Sequence, residues 1–377
     1  MKTIKKNSLA LAIISLLAGI SCKSDDSILA EELSHDNPLV SELDKQVHSS
    51  FESYMLDTDH VGLSITVIDG AESYYYNYGE THKGSQKLPS NQSIYEIASI
   101  TKTFTAAVVS KLILDKNISF DTPVNDLLPE DFNELSFEGE KVTIEHLLNH
   151  TSGLPRLPAD IFSTGTTSQP YQDYGQDDIK NFLNGLTLQR KPGTQYEYSN
   201  LGYTLLAMMA EHQLQKPIRE IIKDEILTPL QMTNTDMELN EIADSNSHVI
   251  GAYTSNGSEG DYWVWNAWQG MGGLYSTMPD LVKYARAQMS DYNGVLNTPF
   301  QSTKTKTYTE GNLSIGRAWH LLNVNGKEAY FHNGGSGGFI SLMIIEPSEE
   351  KALIVLGNAF DEELFSPSFQ MFEALTK

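Results

Sequence analysis

The chain has 377 residues, of which 26 are Lys or Arg and 49 are Asp or Glu, giving a formal net charge of −23. With no basic cluster, that balance excludes an electrostatic grip on nucleic acid. The single cysteine, Cys22, excludes an intrachain disulfide and a thiolate metal cluster, and the length allows one large domain or two ordinary ones.

Lys2, Lys5 and Lys6 precede an apolar run over 9–20 that ends at Ser21-Cys22. A basic start, a short apolar stretch and small residues predict a secretory signal over 1–21, too short for a comfortable membrane span. These lysines are its only charges, so without it the chain carries −26 (−23 minus 3). Cys22 at the cleavage point resembles a bacterial lipoprotein signal, although Gly19 stands where that pattern usually has leucine. An ordinary signal with an incidental cysteine is the other reading; position favours lipidation. Lys23-Ser24-Asp25-Asp26 resembles the acidic tag that sends some Gram-negative lipoproteins to the cell surface. The expectation is a lipid-anchored cell-envelope protein of a Gram-negative-type bacterium, periplasmic or surface-exposed, at the outer membrane. Residues 22–37 are then an acidic tether, and 38–377 the folded domain.

Leu39, Leu43, Val47 and Phe51 recur at helical spacing and predict an opening helix. A β-branched run over 61–68, the turn Asp69-Gly70 and an aromatic run over 73–78 predict a hairpin. A helix follows from Ser99 to about 116, then a short one within 142–155 ending at a Gly/Pro turn. The Ser, Thr, Gln and Gly-rich loop to about 175 is long enough to flank a site. Helices are predicted over 201–211, 217–227 and 279–289. Residues 263–276 carry Trp263, Trp265, Trp268 and Gly270-Met271-Gly272-Gly273. Strands are predicted over 329–332, 339–345 and 352–356, then a helix from about 361. Strands at both ends around a helical middle predict an α/β fold. It has an antiparallel sheet built from both chain ends with flanking helices, plus an inserted, mainly helical region. The α/β part covers about 38–94 and 280–377 and the helical part about 95–279, with a cleft between them.

The chemistry gathers at Glu96-Ile97-Ala98-Ser99-Ile100-Thr101-Lys102. Residues at i and i+3 share a helix face, so Ser99 and Lys102 lie side by side. A serine hydroxyl needs a neighbour to take its proton, and a desolvated lysine is neutral enough to do so. The positive end of the helix favours a developing anion. Spacing alone is weak evidence, because Ser348-Glu349-Glu350-Lys351 matches equally well in a charged turn between two apolar runs.

Ser99-x-x-Lys102, Tyr198-Ser199-Asn200 and His332-Asn333-Gly334 stand in the order of the three motifs of serine β-lactamases and penicillin-binding proteins. The first two resemble in particular the class C branch with its D-alanyl-D-alanine carboxypeptidase and esterase relatives. His150-Thr151-Ser152-Gly153-Leu154-Pro155, Pro229-Leu230-Gln231-Met232 and Gly272-Gly273-Leu274-Tyr275-Ser276 agree, and the resemblance covers roughly 45–375. It implies that Ser99 attacks a carbonyl to leave an acyl-enzyme and that Lys102 and Tyr198 form the base system. Asn200 would bond Lys102 and the substrate amide; the backbone N–H groups of Ser99 and Gly335 would hold the oxyanion, with Gly334 in the same glycine-rich stretch. No metal or cofactor is implied. His332 stands where β-lactamases commonly have a lysine for the substrate carboxylate. Partly charged at neutral pH, it would anchor an anion weakly and in a pH-dependent way.

Two rival motifs read as structural instead: Ser336 as a loop serine, His146 as packing and His150 as bonding the following turn. Gly334-Gly335-Ser336-Gly337-Gly338 also fits Gly-x-Ser-x-Gly, but that elbow needs a helix after it and a strand-like run follows. His146 and His150 are four apart, yet Glu145 precedes the first histidine, whereas the zinc motif has glutamate after it. The expected function is a serine hydrolase acting on a β-lactam, a D-amino-acid peptide or a small ester. The alternative is a penicillin-binding sensor or scaffold that acylates without efficient turnover.

Overall fold

Strands β1 (Gly62–Asp69) and β2 (Glu72–Gly79) form the expected hairpin, and β1 also pairs with β12 (Lys351–Gly357) from the far end of the chain. The computed structural model describes residues 33–57, 59–163, 166, 168–243, 248–289 and 294–377. The expected signal, Cys22 and the tether up to 32 lie outside them. The sheet is completed by β7 (Tyr308–Glu310), β8 (Leu313–Ile315), β9 (His320–Val324), β10 (Lys327–Gly335) and β11 (Ile340–Glu346). Its order is β2-β1-β12-β11-β10-β9-β8-β7, with all neighbours antiparallel. Two smaller pairs join β3 (Tyr95–Glu96) to β6 (Tyr275–Ser276) and β4 (Ser136–Phe137) to β5 (Glu140–Lys141).

Alternation along the central strands divides the core in two. Ile340, Leu342 and Ile344 of β11 pack with Val47 and Phe51 of α1 (Glu42–Met55) and with Met371 and Phe372 of α10 (Phe365–Leu375). Met343 and Ile345 face the other way, into the helical region. That region contains α2 (Thr101–Asp115), α3 (Ile144–Leu148), α4 (Gln176–Gly185), α5 (Asn200–Leu214), α6 (Ile218–Ile222) and α7 (Gln269–Gly272). Helix α2 is buried on every side from Thr101 to Ser110, as its nearly continuous apolar and small residues require. Its hydroxyls find partners: Thr103 Oγ1 donates to Ile100 O (2.8 Å) and Thr105 Oγ1 to Gly270 O (2.5 Å). Among the described residues no helix is long and apolar enough to cross a membrane.

The structure redraws several sequence boundaries. The tether's last residues are held, not free: Gly79 N donates to Ser34 O (2.8 Å), and Asp36 takes Asn77 N and Nδ2 (2.7 Å each). The open edge of β2 needs such partners. Helix α1 starts after Ser41, which caps Asp44 N (3.0 Å) while Asp44 Oδ2 accepts from Ser41 N (2.8 Å). Leu39 stays outside, exposed. Of the two helices between β6 and β7, α8 (Met278–Met289) covers β1, β11 and β12, but α9 (Asn297–Lys304) packs on α2. The segment after 280 therefore serves both parts. Strands β7 and β8 escape the sequence pattern because each is three residues long and mostly outside the core. Helix α4 escapes because just Ile179 and Leu183 are fully buried.

Candidate active site

Ser99 sits in a single 3₁₀ turn, Ala98–Ile100, that runs directly into α2. Ala98 takes φ 44°, a left-handed conformation that costs energy with a Cβ and needs surrounding structure to hold it. The hold comes from both sides. Ile97 N donates to Leu274 O (3.0 Å), and Thr101 Oγ1 accepts from Leu274 N (3.1 Å). Lys102 Nζ then lies 3.0 Å from Ser99 Oγ and 2.7 Å from Met271 O. Lys102 is fully buried, and burial, helped by the Arg156 charge, holds its ammonium well below the usual lysine range. A buried amine bonded to a serine hydroxyl can accept that hydroxyl's proton.

Tyr198 arrives on the segment before α5. Its ring is 5.0 Å from Lys102 Nζ and 4.3 Å from the His150 ring. Burial raises the phenol's pKa; its contact with Ser99 and the Arg156 charge pull downward but do not win. Burial thus favours the protonated phenol and the neutral amine. His150 supports this segment: its Nδ1 accepts from Ser199 N (3.1 Å), its carbonyl from Glu197 N (2.8 Å), and burial keeps the ring neutral. His146 Nδ1 accepts from Thr143 N (3.2 Å), so both histidines serve the backbone. Among the described residues no three His, Cys, Asp or Glu side chains group as metal ligands.

Two expected contacts differ. Asn200 is not bonded to Lys102, whose Nζ meets Ser99 Oγ and the Met271 carbonyl; the Asn200 Oδ1 is buried without a hydrogen-bond partner. His332 is no anion anchor. It is fully buried, points to the covered face of β10, and its Nδ1 meets Asn333 O at 2.7 Å. Burial first, then His320 and Lys102, holds it well below the usual histidine range, so the ring is neutral.

The glycines of β10 are where expected. A Cβ on Gly334 would lie 2.5 Å from Ile97 O and 2.8 Å from Ser99 N, so only glycine lets the strand close against the nucleophile turn. Gly335 lines the cleft beside it. Ser336 is no elbow serine: it sits between β10 and β11, and its hydroxyl donates to Glu96 Oε2. Glu96, fully buried, also accepts from Trp263 N (2.8 Å), tying the end of β3 to two other segments three residues before Ser99. Burial pushes its carboxyl up to about 7.

The resulting cleft measures ≈ 540 Å³. Ser99, Tyr198, Asn333, Gly334 and Gly335 line it with Arg156, Trp263, His320, Phe360 and Glu362. Sequence reasoning missed Glu96, Arg156 and His320. Glu96 carries a readable signal, a carboxylate inside the apolar approach to Ser99; the other two carry none.

Comparison with known proteins settles the family. Residues 47–374 match the family described as Beta-lactamase. The chain belongs to the β-lactamase family. An unguisins hydrolase of Aspergillus campestris is 29% identical over 323 residues, covering 80% of this chain and 59% of that protein. The chain thus spans about three fifths of that relative. The D-alanyl-D-alanine-carboxypeptidase/endopeptidase AmpH of Escherichia coli K12 is 25% identical over 318 residues, 78% of each chain. The solved structure of a class C β-lactamase superposes with a TM-score of 0.77 at 18% identity, covering 89% of this chain and 97% of the other. This β-lactamase-family chain therefore has the serine-hydrolase fold of those enzymes.

Proposed function

We propose that this protein is a serine hydrolase that cleaves an amide or ester through an acyl-enzyme on Ser99. The observation that carries the reading is the 3.0 Å contact between Ser99 Oγ and the buried Lys102 amine. The neutral amine takes the hydroxyl proton as Oγ bonds to the substrate carbonyl carbon. Backbone N–H groups of Ser99 and Gly335 stabilise the resulting oxyanion. Tyr198 gives its proton to the departing nitrogen or oxygen and recovers one from Lys102, so the proton balance closes. Water then attacks the acyl carbonyl with the proton steps reversed, freeing an acid and restoring Ser99. The unpartnered Oδ1 of Asn200 suits a substrate amide N–H.

The substrate is a β-lactam, a D-amino-acid peptide or a small ester; the hydrolase and carboxypeptidase named among its relatives favour this range. The reading needs no metal or cofactor. Lipidated Cys22 would tether the enzyme to the envelope membrane, periplasmic or surface-exposed. The test uses protein lacking residues 1–22, mixed with a chromogenic cephalosporin or a nitrophenyl ester while intact mass is followed. Turnover of either with a transient Ser99 adduct is expected. A stable adduct without turnover would make the protein a penicillin-binding sensor, and no adduct with either would overturn the proposal.

A further inference from the structure

We propose that Arg156 determines specificity by gripping a carboxylate on the leaving-group half of the substrate. The inference deepens the reading of Ser99 as nucleophile and rests on it.

Arg156 lines the cleft, exposed to solvent, with its guanidinium carbon 5.0 Å from the centre of the Tyr198 ring. Its main chain is fixed: the Arg156 carbonyl accepts from Asn200 N (3.0 Å) and Leu201 N (3.2 Å), clamping the loop to the start of α5. The side chain thus springs from a rigid point beside the proposed proton donor. Its charge is unspent. Arg190, Arg219 and Arg317 pair with Glu197, Asp236 and Glu145, whereas among the described residues no acidic side chain pairs with Arg156. In a chain with 49 acidic and 26 basic residues, an unpaired arginine in a cleft is against the odds.

The other candidates for an anion site fail on charge. His332 is buried and neutral. His320 lines the cleft, but burial pushes it down to about 4, and its Nε2 is 2.9 Å from the Tyr196 hydroxyl. Lys102 lies beneath the surface, bonded to Ser99 and Met271. Arg156 is the one permanent cation on the cleft wall among the described residues. A planar guanidinium matches a carboxylate through two parallel hydrogen bonds. The wall also carries apolar Trp263, Ile340, Phe360 and Phe365 and one carboxylate, Glu362, whose repulsion disfavours a dianion more than a monoanion. Tyr198 protonates the leaving group, so a carboxylate held over Tyr198 belongs to that half.

The test compares two esters of one N-acylglycine, with phenol and with 3-hydroxybenzoate as leaving groups. Wild type, Arg156→Gln and Arg156→Lys are assayed, with Ser99→Ala as the control. Arg156→Gln should lower kcat/KM for the carboxylate ester by about 10- to 100-fold, the worth of a charge-assisted hydrogen bond, chiefly through KM. The phenyl ester should change by less than about threefold, and Arg156→Lys should recover part of the loss. An equal loss with both esters would make Arg156 a residue that positions or tunes Tyr198 and would overturn the anchor, as would no change with either. Phenyl ester turnover that survives in Ser99→Ala, or no Ser99-dependent reaction with either ester, would instead overturn the nucleophile reading.

Discussion

The chain holds two copies of Ser-x-x-Lys, and they have opposite fates. Ser99 and Lys102 are joined at 3.0 Å in a place where the lysine is fully buried. Ser348 and Lys351 stand at the same spacing, one in the turn after β11 and the other at the start of β12, yet do not meet. The Ser348 hydroxyl donates to Glu346, whereas Lys351 donates to Leu375 O (2.8 Å) and pairs with Glu349 (3.2 Å). The first lysine is fully buried and pressed toward the neutral amine; the second is partly covered, with a carbonyl and an acidic side chain as partners. Spacing is common to both, so what separates them is desolvation and the partners that the fold supplies.

The largest effect expected from breaking this contrast comes from the serines. Ser99→Ala should lower acylation by at least about 10³-fold, because among the described residues no other hydroxyl is bonded to the buried amine. Ser348→Ala should leave it within about twofold, since a surface turn contributes little. Intact mass after mixing with a chromogenic cephalosporin or nitrophenyl ester reads both. Comparable losses would mean that burial does not distinguish the copies.

The lysines sharpen the point, because activity and stability should move in opposite directions. Lys102→Met should lower acylation by about 10²- to 10⁴-fold, the usual worth of a general base, while raising the melting temperature. A buried lysine whose pKa is depressed weakens the fold between that pKa and the normal lysine value, because the unfolded chain binds the extra proton. Methionine removes this cost at similar length. Lys351→Met should leave acylation unchanged and lower the melting temperature, because it removes the bond to Leu375 O and the pair with Glu349. The acylation rate of wild type should also rise with pH through the depressed Lys102 pKa, well below the ordinary lysine range. A limb near the ordinary lysine value would show that the ammonium is not desolvated in solution.

What was legible in the sequence follows how far each interaction reaches along the chain. Ser99 and Lys102 are one helical turn apart, and the hairpin and terminal strands show in runs of β-branched residues, so the nucleophile and the sheet's centre could be read directly. The fate of His332 depends on which face of β10 it occupies, and its neighbour Asn333 shares the motif without sharing its burial. One residue of register separates a cleft position from a buried one. Glu96 meets Ser336, 240 residues away, and Arg156 differs from any surface arginine only through the tyrosine beneath it. Such pairings exist only once the sheet and helices have closed on each other.

Glu96 supplies the smallest and most diagnostic effect, because it is the buried ionisable group beside Ser99 whose proton matters in the opposite direction. Its folded pKa is raised from 4.5 to about 7, so the folded protein holds a proton that the unfolded chain has released between those values. Stability from this group is fully present below pH 4.5 and is lost as pH rises to about 7, by up to about 3 kcal/mol. Glutamine keeps acceptors and donors for Ser336 and Trp263 but cannot ionise. Glu96→Gln should therefore flatten the fall in melting temperature between pH 4.5 and 7 and raise it at pH 7.5, with acylation at pH 6 changed by less than about threefold. An unchanged pH dependence would mean that the wild-type carboxyl is already ionised at low pH, held by the Ser336 hydroxyl and Trp263 N–H more strongly than burial opposes it. Glu96 would then be a fixed anion under the nucleophile turn, and its removal should slow acylation at every pH.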